Sequence, residues 1–163
     1  MACLRLFLPM WKLLQRFSKL DREARGLFLR GVVLLPLIAV SVRVRGFRGA
    51  QAMLERFLRA ADRDSQPAEN TTATNVSRTA RMVRAAARYG LVRPTCLEKS
   101  LALWWLLGRQ GIASSVRIGT RKSAGRLEAH AWVEFEGRAL NESAEPHKQY
   151  AVFDAAFPAL SQK

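Results

Sequence analysis

The sequence predicts an α+β fold: a basic helical N-terminal part, then further helices and a small antiparallel sheet. Three observations predict it. Met1 to Arg63 is rich in apolar residues at helical spacing. Two well-signalled helices follow, one over Ser77–Tyr89 and one opening at Thr95. Finally, Leu127–Phe135, "LEAHAWVEF", alternates polar and apolar as a strand does, and Gly137 turns the chain back into Ala139–Glu142.

Taken in order, residues 1–63 form the basic N-terminal segment. Charged turns are expected near Ser18–Arg25 and Arg43–Arg48. Between them, Gly31–Val42 is a charge-free run of 12 residues. It is short for a bilayer span and has Pro36 in its middle. It reads as a buried core helix kinked at Pro36; the alternative is a helix docking on a membrane surface or a partner. Met1–Met10 is apolar, but the pattern breaks at Lys12 with no small-residue cleavage site, which argues against a signal peptide. Residues 64–76, "DSQPAENTTATNV", read as a polar loop. Its two Asn-x-Ser/Thr matches, at Asn70 and Asn75, mean little without a secretory signal.

The third segment, 77–163, carries the candidate chemistry. Ser77–Tyr89 places Arg78, Arg81, Arg84 and Arg88 on one side and Met82, Val83, Ala86 and Tyr89 on another, with Gly90 as a stop. In "RPTCLEKSLALWWLLGRQG", Thr95 and Glu98 match a capping box, which makes Cys96 the first helical residue and ends the helix near Gly108–Gly111. Ala113–Thr120 reads as a strand and "RKSAG" as a turn.

Composition narrows the partners. The chain of 163 residues carries a net charge of +14, which points to an acidic partner, an anionic membrane surface or nucleic acid. No recognised nucleic-acid motif appears and the arginines are dispersed, so nucleic acid is set aside. Two distant cysteines, Cys3 and Cys96, do not make a disulfide framework and suit a reducing compartment. Nothing in the sequence calls for a cofactor or a metal.

Cys96 is placed to react. The unpaired N–H groups at a helix start favour the thiolate, which is the nucleophilic form. A base is then needed. Of the two histidines, His147 sits in polar "ESAEPHKQY", whereas His130 interrupts an apolar strand. A cysteine at a helix start and a strand histidine form the nucleophile–base pair of thiol hydrolases. The hairpin nominates a third group. A three-residue loop, Phe135-Glu136-Gly137, puts His130 opposite Glu142, whereas a two-residue turn, Glu136-Gly137, brings Asn141 to the histidine's face instead. Glycine in the third loop position favours the longer loop. Asp154 is a more distant candidate.

"PTCLEKSLALWWLLGRQGI", "VRIGTRK" and "AHAWVEFEGRALNE" together resemble the leader peptidase of lasso-peptide biosynthesis, within the transglutaminase-like superfamily. The resemblance runs over about Ser77–Glu142. It implies a papain-like core with the cysteine helix packed on the sheet, and a cytoplasmic bacterial enzyme that removes the leader from a ribosomal precursor peptide. By position, Cys96 matches the nucleophile, His130 the base and Glu142 the acidic third member, which is often aspartate in that family. It also implies a separate leader-recognition protein and an ATP-dependent, asparagine-synthetase-like cyclase as partners. Two other functions fit the residues: acyl transfer to an amine by the same triad, and a basic, non-enzymatic scaffold that brings precursor and cyclase together, with a membrane surface as one place for it.

Overall fold

The structure is a computed structural model, and it describes residues 20–61, 73–123, 125–140 and 150–152. Cys3, Asn141, Glu142, His147 and Asp154 lie outside the described residues.

Helix α1 (Arg22–Ala61) opens where Asp21 Oδ1 accepts the Ala24 N–H at 2.7 Å. Its dihedrals stay helical through Pro36 and leave helical values at Gly46, where φ is 67° and ψ is 179°. The expected break at Pro36 is therefore found ten residues later, inside the anticipated Arg43–Arg48 turn. Only glycine adopts that backbone region without large cost. Proline is tolerated because its neighbours Leu34, Leu35, Ile38 and Ala39 are buried and hold the helix in place. By length and composition alone Arg22–Leu58 meets the measure of a membrane-crossing helix, a measure that buried core helices also meet.

Helix α2 (Ala73–Tyr89) starts four residues before the expected Ser77, so the polar loop ends sooner than its composition suggested. Burial of Val76 explains the earlier start, because that residue packs into the core. Helix α3 (Cys96–Gly108) is buried almost throughout its apolar length, from Leu101 to Leu107.

The strands are β1 (Ser115–Ser123), β2 (Arg126–Phe135), β3 (Arg138–Ala139) and β4 (Ala151–Val152). They form one antiparallel sheet in the order β3-β2-β1-β4. The core lies between this sheet and the helices. Leu35, Ile38 and Leu54 of α1, Ala80 and Val83 of α2, and Leu101, Trp104 and Leu107 of α3 meet Val116 and Val133 there. Helices around a small antiparallel sheet are the α+β architecture expected.

The hairpin corrects the expected register. Phe135 pairs with Arg138 and Glu134 with Ala139, so the connection is the two-residue turn Glu136-Gly137. Both central residues have positive φ, 48° and 73°, as a type I′ turn requires. Burial decides the matter. In the two-residue register the Leu140 N–H donates to the Val133 carbonyl at 2.9 Å, and Leu140 packs on the core beside Val133 and Phe135. A three-residue loop would place Leu140 opposite Trp132, on the other face of the sheet.

Candidate active site

The start of α3 has the anticipated geometry. Thr95 is the N-cap: its hydroxyl accepts the Glu98 N–H at 3.3 Å, while the Glu98 carboxylate accepts the Thr95 N–H at 2.7 Å. Glu98 is buried by this exchange. Cys96 is the first helical residue, half-buried, and its thiol is free. The cap takes the Glu98 N–H, but the N–H groups of Cys96 and Leu97 donate to no group among the described residues. Two backbone donors thus stand unused at the helix start that carries Cys96, at the positive end of the helix dipole. That is where a developing oxyanion would be stabilised.

His130 lies in the middle of β2, paired with Gly119 of β1. It is half-buried in an aromatic setting, its ring centroid 6.2 Å from Trp132 and 5.4 Å from Tyr150. Gly119 makes room for this cluster. A Cβ there would fall 2.9 Å from Tyr150 Cβ, 3.0 Å from Trp132 Cη2 and 3.1 Å from the Ala151 carbonyl oxygen. Arg121 lies 4.9 Å over the Tyr150 ring. Its hydrogen bond to Glu128 raises its pKa above the ordinary value against the opposing effect of desolvation, so it stays cationic.

One bond joins the two elements that carry the candidate residues. Ser100, fully buried, donates its hydroxyl to the Ala131 carbonyl at 3.0 Å. Ser100 lies one turn along the helix from Cys96, on the same face. Ala131 is the next residue after His130. The tether therefore fixes the cysteine end of α3 against the histidine strand. The thiol and the imidazole are not hydrogen-bonded to each other in this structure. Catalytic pairs of this kind often tighten only when substrate binds.

The argument that put Glu142 opposite His130 rested on the three-residue loop. The observed two-residue turn removes that support; Glu142 and its alternatives Asn141 and Asp154 lie outside the described residues. The sequence assigned no role to Ser100, although it stands in the Cys-x-x-x-Ser motif, and none to Gly119 or Tyr150. The spacing Cys-x-x-x-Ser was a usable signal, since a lone hydroxyl on an apolar helix needs a partner. Tyr150 carried no such signal.

With this geometry in place, the family match is informative. The model of the transglutaminase-like superfamily matches residues 35–154, nearly three quarters of the chain. The chain belongs to the transglutaminase-like superfamily. The matched region takes in most of α1, both candidate residues and Asp154. Cysteine peptidases and acyltransferases both occur in that superfamily, and both use a cysteine nucleophile. No curated protein and no solved structure gives a significant match to the chain.

Proposed function

We propose that this protein is a cysteine peptidase that removes the leader from a ribosomally made lasso-peptide precursor. The observation that carries the reading is the Ser100–Ala131 tether, which sets a capped cysteine helix against a histidine strand in a transglutaminase-like chain. In this mechanism Cys96 attacks the scissile carbonyl and His130 takes the thiol proton. The amine leaves with that proton, and water then hydrolyses the thioester with His130 as base. The Cys96 and Leu97 N–H groups hold the oxyanion. A third residue orients the imidazole; the candidates are Glu142, Asn141 and Asp154.

The lasso-peptide part of the proposal rests on the resemblance of Ser77–Glu142. It brings with it a cytoplasmic setting, a separate leader-recognition protein that grips the leader, and the ATP-dependent cyclase that consumes the released core. Superfamily membership accommodates acyl transfer equally well, and the product tells the two apart. The test is mass spectrometry of a precursor incubated with the purified chain and the recognition protein. Peptidase activity gives a leader that ends in a free carboxylate. A leader joined to an added amine would show transfer instead.

A further inference from the structure

We propose that the outer face of α1 lies on an anionic membrane surface. Leu29, Val33, Leu37, Val40 and Val44 recur every three or four residues and are between 54 and 75 % exposed. At 1.5 Å per residue this is a stripe about 22 Å long on one side of the helix. The opposite side, with Leu35, Ile38 and Leu54, is in the core. Among the described residues nothing covers the stripe, and it is independent of the cysteine chemistry.

Charge says what covers it. Beside the stripe, between α1 and α3, runs an open groove of about 480 Å³, walled by Leu29, Val33, Leu37 and Trp105. Two arginines, Arg30 and Arg109, line it, and no carboxylate does. Arg109 lies 5.8 Å over the Trp105 ring, and the buried Trp105 Nε1–H finds no acceptor among the described residues. Arg30, Arg43 and Arg109 make no ion pair among the described residues. The first 62 residues hold 12 Lys or Arg against 4 Asp or Glu. An apolar stripe edged by unpaired arginines matches acyl chains below and phosphate headgroups beside them. A second copy of the chain would bring the same net charge of +14 against it. An acidic peptide would answer the arginines but leave the stripe in water.

The helix lies along the surface and does not cross it. Of its most apolar window, 33 % is buried inside the protein, and crossing would strip those core contacts. Arg30 and Arg43 bracket only 12 uncharged residues. That is about 18 Å of helix, against a hydrocarbon core of about 30 Å.

The test is co-sedimentation of the full chain with vesicles of phosphatidylcholine alone or mixed with phosphatidylglycerol. The chain is expected to bind the mixed vesicles, and binding should weaken as salt rises. Val33→Asp/Leu37→Asp should weaken binding at least tenfold, and the milder Val33→Ser/Leu37→Ser should weaken it less. Both pairs are exposed, so an unchanged thermal melt confirms the fold in each case. Loss of Arg30 or of Arg109, each to Gln, should cost about fivefold. Arg81→Gln/Arg84→Gln, on the exposed side of α2, should leave binding within about twofold. The proposal is overturned if the mixed vesicles are not preferred, or if the α2 variants abolish binding while the stripe variants do not. It is also overturned if the stripe instead mediates self-association in the absence of lipid, or binds an acidic peptide in preference to vesicles.

Discussion

Replacing Ser100 by alanine separates positioning from mere stability. The hydroxyl is fully buried, and its bond of 3.0 Å to the Ala131 carbonyl joins α3 to β2. Its loss removes that buried hydrogen bond, at a cost of about 1–2 kcal/mol. For a chain of this size that lowers the melting temperature by roughly 2–8 °C. Domains of this kind have about 5–15 kcal/mol in hand, so nearly every molecule stays folded at 25 °C. Destabilisation alone therefore predicts unchanged cleavage. Loosening the helix against the strand predicts more, because a misplacement of about 1 Å can cost on the order of 10²-fold in rate. Ser100→Ala should lower kcat by about 10- to 100-fold with KM for the precursor little changed. Thr79→Val is the control. Thr79 is equally buried, and its hydroxyl donates to the Asn75 carbonyl at 2.9 Å and accepts from Gln110 at 3.0 Å, on elements away from the site. It should melt earlier by a similar amount yet cleave normally. Steady-state cleavage followed by chromatography, beside thermal melts of both variants, decides the issue. Ser100→Ala with a lowered melt and wild-type kcat would refute the positioning role.

Gly119→Ala should push Tyr150 and Trp132 aside, because its Cβ would sit about 3 Å from both, and so displace His130. We expect a clear loss of kcat, and restored activity in Gly119→Ala/Tyr150→Ala would show that crowding is the cause. His130→Ala should be as damaging as loss of the cysteine, and the double variant no worse than either alone, since such groups act as a unit; a much slower double variant would argue for separate roles. Among the third-residue candidates, the two-residue turn ranks Asn141→Ala above Glu142→Gln in severity. Kinetics on these two and on Asp154→Asn check the order, and a severe loss confined to Glu142→Gln would contradict it. Without the leader-recognition protein, cleavage should be much slower; equal rates would mean that the chain recognises the precursor unaided.

Local signals were legible, and long-range ones were not. The Thr95–Glu98 capping box is written in four consecutive residues, and the structure forms it in full. The alternation of Leu127–Phe135 likewise located β2 within a residue. The hairpin register failed because the choice between two- and three-residue loops turns on where Leu140 is buried, and the glycine position alone does not report that. The break in α1 went to Gly46 rather than Pro36 because tertiary burial around Pro36 outweighs a local helix penalty. The Ser100 tether joins residues 31 apart in sequence, and no window along the chain reveals it. Tyr150 reaches His130 only through the pairing of β4 with β1. The exposed apolar stripe was half visible: its spacing is helical, but which side faces the core depends on α2 and α3.

The central claim is that Cys96 is the nucleophile, and the purified Cys96→Ala variant tests it most directly. Incubated with precursor and the recognition protein, it should give no leader fragment above background by mass spectrometry. Its thermal melt should match that of the wild type, and Cys3→Ser should cleave at the full rate. Leader release by Cys96→Ala at a rate near that of the wild type would contradict the account.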